Sequence, residues 1–77
     1  MRYQEGQAYE DDRGNTVFVS CGIGGGHDWM SVRQGSTGGT HRIKTKFLPL
    51  RSRAEEAQAD LDSYAKKKKW KASSSYN

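Results

Sequence analysis

Proline and cysteine each occur once in this 77-residue chain. No apolar run approaches the roughly 20 residues that a membrane-spanning helix requires. A single cysteine, Cys21, excludes an internal disulfide and leaves no cysteine pair for a zinc site. A reduced, cytoplasmic setting is the expectation. The opening MRYQEGQAYEDD lacks the apolar stretch of a secretory signal. Hydrophobic residues are also scarce, at 32% of the chain. A fold of this size buries only about 60% of its unfolded surface, so the core must be small. Little room is left for an enclosed enzyme pocket, and a binding module is expected instead.

Charge of one sign is missing from the middle of the chain. Residues 1–28 carry two basic and five acidic side chains, a net −3. Residues 29–51 carry five basic side chains (Arg33, Arg42, Lys44, Lys46, Arg51) and no acid. Residues 52–77 carry six basic and four acidic, which brings the total to +4. So uneven a distribution implies an oriented electrostatic surface and points to a polyanionic partner such as nucleic acid.

Local patterns divide the chain into three parts. Residues 1–15 form a polar, acidic segment with a possible edge strand over Gln7–Glu10 and a reversal at Arg13-Gly14-Asn15. Residues 16–69 read as a β-β-β-α domain. TVFVSCG (Thr16–Gly22) is β-branched and aromatic, WMSVRQG (Trp29–Gly35) alternates, and HRIKTKFL (His41–Leu48) alternates again before Pro49. GIGGGHD and STGGT are the connecting loops, the latter turning on Gly38-Gly39. The spacing of Ala54, Ala57, Leu61, Tyr64 and Ala65 predicts a helix beginning at Arg53, capped by Ser52 with Glu55 three residues on. Glu55 and Glu56 suit the positive end of its dipole, and Lys66–Lys69 the negative end. Residues 70–77 read as a flexible tail. The predicted architecture is α+β, a three-stranded antiparallel sheet with a possible short fourth edge strand, packed on one C-terminal helix.

Side chains alternate across a strand, so each strand offers two faces. One face is expected to collect Val17, Val19, Cys21, Met30, Val32, Ile43, Thr45 and Phe47 beneath the helix, with Val32 touching Leu61. The other then collects Phe18, Trp29, Arg33, Arg42, Lys44 and Lys46 and faces solvent. Such a face has three readings: a soluble outer surface whose lysines block edge pairing, a polyanion-binding surface, or a protein-partner surface. Arginine can read guanine edges in a major groove, which admits a β-ribbon.

Several motifs carry less. GIGGGHD lacks the lysine–serine pair of a phosphate loop and precedes no helix. Cys21, His27, Asp28 and His41 match no metal-ligand or nucleophile–base spacing, so no metal, cofactor or catalytic activity is expected. The run KKKKWK is either a solvated helix end or a grip on a phosphate backbone.

The order of Trp29-Met30-Ser31-Val32-Arg33, a Gly38-Gly39 turn, Arg42-Ile43-Lys44-Thr45-Lys46, Leu50-Arg51-Ser52 and Glu56-Ala57 resembles the amino-terminal arm-DNA-binding domain of phage and conjugative-transposon integrases. The resemblance spans roughly residues 16–66. It departs from the pattern in the late Glu-Ala pair and in the Phe47-Leu48-Pro49-Leu50 link. It implies a free-standing phage or mobile-element module whose exposed sheet face enters the major groove of duplex DNA. Trp29, Arg33, Arg42, Lys44 and Lys46 would then contact bases, Phe18 would share that nucleic-acid-binding face, and Arg51 and Lys66, Lys67, Lys68 and Lys69 would hold the backbone. The alternatives are a small phage-encoded module inhibiting a host protein such as a nuclease, and double-stranded RNA binding by a domain that also ends β-β-β-α. Neither a membrane nor a small-molecule substrate is expected.

Overall fold

The structure, a computed structural model, describes residues 2–22, 26–35 and 38–73. Its elements are β1 (Ala8–Glu10), β2 (Thr16–Cys21), β3 (Trp29–Gln34), β4 (Thr40–Arg42), α1 (Ala54–Lys68) and β5 (Lys71–Ser73). The class is α+β, an antiparallel sheet with one helix. The sheet has five strands in the order β4-β3-β2-β1-β5. The possible strand over Gln7–Glu10 is present as β1, paired with β2, but it is not an edge: residues 71–73, expected to be a flexible tail, pair with its other side as a fifth strand.

The β1–β2 reversal is built on Asp11. Its Oδ1 accepts the backbone N–H groups of Arg13 (2.9 Å) and Asn15 (2.8 Å). Gly14 sits at φ +81, a conformation that other residues adopt only with strain. The β3–β4 reversal closes with Gly35 N–H on the Gly39 carbonyl and Gly38 N–H on the Gly35 carbonyl.

The register between β2 and β3 corrects the predicted faces. Cys21 lies opposite Trp29, Val19 opposite Ser31, Val17 opposite Arg33 and Phe18 opposite Val32. Directly paired residues share a side, so Val17 and Val19 stand with Trp29 and Arg33, while Phe18 stands with Met30 and Val32. The helix covers the first side. There Val17, Val19, Leu48, Ala57 and Leu61 form a cluster, with Tyr3, Tyr9, Trp29, Ile43, Tyr64 and Trp70 packed around it. On the opposite side Ala8, Phe18, Met30 and Val32 form a separate cluster. Val32 and Leu61 therefore belong to different clusters rather than to one interface.

The third predicted strand is also shorter than expected. Pairing with β3 covers Thr40–Arg42, and Ile43 N–H adds one bond to the Ser31 carbonyl. The chain then leaves the sheet through a turn in which Leu48 N–H reaches the Thr45 carbonyl, and returns where Arg51 and Trp29 exchange backbone bonds of 2.7 and 3.0 Å. This excursion puts Leu48 in the core at 1% exposure and leaves Phe47, a predicted core residue, 46% exposed.

The helix starts one residue later than predicted. Arg53 is the N-cap residue and makes no side-chain cap bond, so Ser52 lies outside the cap. At the other end Lys69 adopts a left-handed conformation at φ 62, with its N–H on the Lys66 carbonyl and Trp70 N–H on the Ala65 carbonyl. This pair of bonds is a Schellman closure, and the Trp70 ring meets Tyr64 in its accompanying apolar contact. The closure turns the chain into β5.

Close approach of the amino-terminal segment to the helix fixes a small residue at position 6. A methyl group at Gly6 would collide with Gln58 Oε1 and lie 2.7 Å from the Tyr3 ring.

Candidate nucleic-acid interface

The predicted basic sheet face does not assemble. Arg33 stands on the helix side, where its Nε lies 2.9 Å from Asp11 Oδ2. That contact is a charge contact rather than a hydrogen bond, because the Nε finds no partner in hydrogen-bond geometry. Trp29 is half-buried on the same side and meets Tyr3 edge-on at 5.8 Å. Phe18 is buried on the opposite side, with Arg2 over its ring at 5.7 Å. Arg42 is on that side too, opposite Val32. Its Nε is shielded from solvent with no hydrogen-bond partner among the described residues. Lys44 and Lys46 are exposed, but they lie on the excursion after β4 rather than on a strand. Arg51 is held by Asp60 through two bonds, Nε to Oδ2 at 2.7 Å and a terminal nitrogen to Oδ1 at 3.2 Å. The reason for the scatter is the β2–β3 register, which puts Phe18 and Arg33 on opposite sides, and the early departure of the chain after Arg42.

A different surface gathers what the sheet disperses. The excursion carries Lys46 and Phe47 against the flank of α1. Phe47 stacks on Tyr64 with centroids 6.1 Å apart, and Tyr64 meets Trp70 edge-on at 5.4 Å. Lys67 Nζ lies 4.1 Å from the Phe47 centroid and Lys46 Nζ 5.4 Å from it. Lys68 Nζ lies 5.5 Å from the Tyr64 centroid. An exposed cation over an aromatic ring is worth about 0.5–1 kcal/mol, enough to bias these side chains without locking them. Asp60, Ser63, Tyr64 and Lys67 fall at helical spacing on one flank and, with Phe47, line a cleft of about 130 Å³.

Lys66, Lys67, Lys68, Lys69 and Lys71 are all exposed. None of them forms an ion pair among the described residues. A second cleft of about 250 Å³ lies where Lys68, Lys69 and Lys71 come near Glu10 and Asp12. Their charge sits at the negative end of the helix dipole, which favours cations there.

Phe47, Tyr64 and Trp70 are the contributors that pattern reading missed. Strand alternation puts Phe47 in the core, helical spacing puts Tyr64 on the buried stripe, and Trp70 falls in the tail. The available signal was the i, i+3, i+4, i+7 spacing of Asp60, Ser63, Tyr64 and Lys67, beside a second lysine–aromatic pair at Lys46-Phe47.

Two polar centres, one buried at Asp11 and one nearer the surface at Tyr9 and Asp62, tie the sheet to its surroundings. Burial alone would raise the Asp11 carboxyl, but the N–H groups of Asn15 and Arg13, the Asn15 amide and the Arg33 charge outweigh it and hold it below the usual carboxylate range. Tyr9 donates to Asp62 at 2.6 Å, and Gln58 donates to the same oxygen at 2.8 Å. Burial, with the Asp62 hydrogen bond and charge, pushes the Tyr9 phenol up to about 12.

Among the described residues no group of three or more His, Cys, Asp and Glu is placed to hold a metal ion. No described helix is long and apolar enough to cross a membrane. The chain matches no family model, no curated protein and no solved structure. Its likeness to integrase arm-binding domains therefore rests on its residues alone.

Proposed function

We propose that the chain binds nucleic acid, duplex DNA first among the candidates, through the lysine-rich end of α1 and the adjoining Lys44–Phe47 segment. The observation that carries this reading is the cluster of exposed lysines, in no ion pair among the described residues, around an exposed aromatic ring. Lysines in that state neutralise phosphates at little cost, and the counterions released drive association. The sheet-face version of DNA binding has less support, since Asp11 engages Arg33 and Phe18 is buried. The proposal gives the chain no catalytic role.

A protein partner is the second reading. Phe47 and Leu50, 46% and 42% exposed, are large hydrophobics near one another in sequence, as an interface anchor would be.

Fluorescence anisotropy with a random duplex of about 20 base pairs, measured across salt, tests both. If four or five phosphates are neutralised, log affinity falls with log salt at a slope near −4. Replacing Lys66 and Lys69 together by alanine should weaken binding to every sequence and flatten the slope by up to about 2. Arg42→Ala should leave both unchanged. Loss of binding in Arg42→Ala with normal behaviour in the lysine variant would return recognition to the sheet. Failure of the unaltered protein to bind either duplex or single strand at low salt would favour the protein partner.

A further inference from the structure

The lysine surface accounts for attraction to phosphate but not for the exposed Phe47 ring beside it, nor for the cleft that Phe47 shares with Tyr64. We propose that this cleft is a stacking site for one unpaired base, so that the nucleic acid preferred here is single-stranded. The inference rests on the nucleic-acid reading above and changes the preferred form from duplex to single strand.

Three observations carry it. Phe47 is 46% exposed and lines the cleft, stacked on Tyr64 with an interplanar angle of 29°. Two nearly parallel rings make a platform whose free face takes a third flat ring. At about 130 Å³ the cleft is far below the roughly 300–1,000 Å³ of pockets that engulf a drug-sized ligand, so it suits one ring and not a whole nucleotide. Its wall chemistry sorts the parts of a nucleotide. Asp60 is already engaged by Arg51, while Lys46 and Lys67 hold their ammonium groups over the Phe47 ring, within reach of the phosphate of a nucleotide stacked there.

Lys67 gives the site its working order. In the free protein its ammonium covers the Phe47 ring at 4.1 Å. A base stacked on an aromatic ring outweighs an exposed lysine over it. An arriving nucleotide offers both a base for the ring and a phosphate for the lysine, so each group exchanges a weak contact for a stronger one. A duplex cannot make this exchange, because its bases are stacked on one another.

Oligothymidylate of about twelve nucleotides, which does not pair with itself, is the probe, against a duplex of equal length at about 0.1 M salt. The unaltered protein should bind the single strand more tightly. Phe47→Ala should weaken single-strand binding about 5- to 100-fold while duplex affinity and the salt slope hold. Phe47→Trp should restore single-strand binding. Thermal melts of both variants confirm folding. Equal losses on both probes, or no loss on the single strand, overturn the stacking site while leaving the lysine surface intact. An unaltered protein that binds neither probe at low salt overturns the inference together with the reading beneath it.

Discussion

The two sides of the sheet bury their residues by different means. The helix side is closed by a secondary-structure element, with Leu61 and Val17 fully buried and Leu48 inserted from a loop. On the other side Phe18, Met30 and Val32 are as well hidden, at 7%, 6% and 0% exposure, yet none of the described helix covers them. Long arginine side chains do part of that work: Arg2 lies over Phe18, and Arg42 stands beside Val32 with its Nε shielded. Arginine stems shelter apolar surface while the guanidinium reaches for water. The difference teaches why the basic residues of the middle segment do not act together. One of them, Arg42, is on the far side beside an apolar cluster, and another, Arg33, is committed to Asp11 at the rim of the helix side.

The comparison breaks most readily in the two cores. Leu61→Ala should cost about 2–5 kcal/mol, near the upper end because a docked helix cannot collapse into the space. Met30→Ala should fall at the lower end of that range, since flexible arginine stems can follow the lost volume. Denaturant midpoints decide it, and equal losses would mean the two sides are packed with equal rigidity.

At the rim, Asp11→Ala should cost about 1–3 kcal/mol at neutral pH by leaving the Arg13 and Asn15 N–H groups without their acceptor. The sign of its pH dependence follows from the lowered carboxyl. A folded-state value below the unfolded one stabilises the fold at pH above about 3.9, and that stability is lost as pH falls through the folded value. The gap between the variant and the unaltered protein should therefore be full at neutral pH and narrow in acid. A gap that stays constant down to pH 2 would assign Asp11 a packing role only.

The smallest effect sharpens the helix side alone. Lys69 holds a left-handed conformation that glycine adopts without strain, so Lys69→Gly should raise stability by about 1 kcal/mol. A drop in stability would show that the lysine stem contributes more at the closure than its backbone costs.

Much of this fold could be read from residue pattern. The β-branched run Thr16–Cys21, the alternation of Trp29–Gln34, the glycine turns and the helix within one residue of its start all follow local rules. What local rules could not supply was the relative phase of β2 and β3. Both strands carry apolar residues on both sides, Val17 against Phe18 and Val32 against Trp29, so alternation alone does not choose which pair faces the helix. A one-residue shift in pairing exchanges the two faces entirely. The excursion at residues 43–50 was hidden for a related reason. Ile43, Thr45 and Phe47 alternate as a strand would, but it is Leu48 that fits under the helix. Strand β5 is three residues of ordinary polarity, and only its distant partner makes it a strand.

That partner is almost the full length of the chain away. Ala8 pairs with Ser73, and the Gln7 side chain donates to the Ser73 carbonyl across 66 residues. During synthesis β1 can join β2 early, but its outer edge stays unpaired until the whole helix has left the ribosome and turned at Lys69. An open edge is a template for pairing with another chain. Contacts of such long separation are also the slowest to form, because the loop must close before it is rewarded. Until residues 71–73 pair with it, β1 is therefore an open edge, and once they do, β5 becomes the edge in its place.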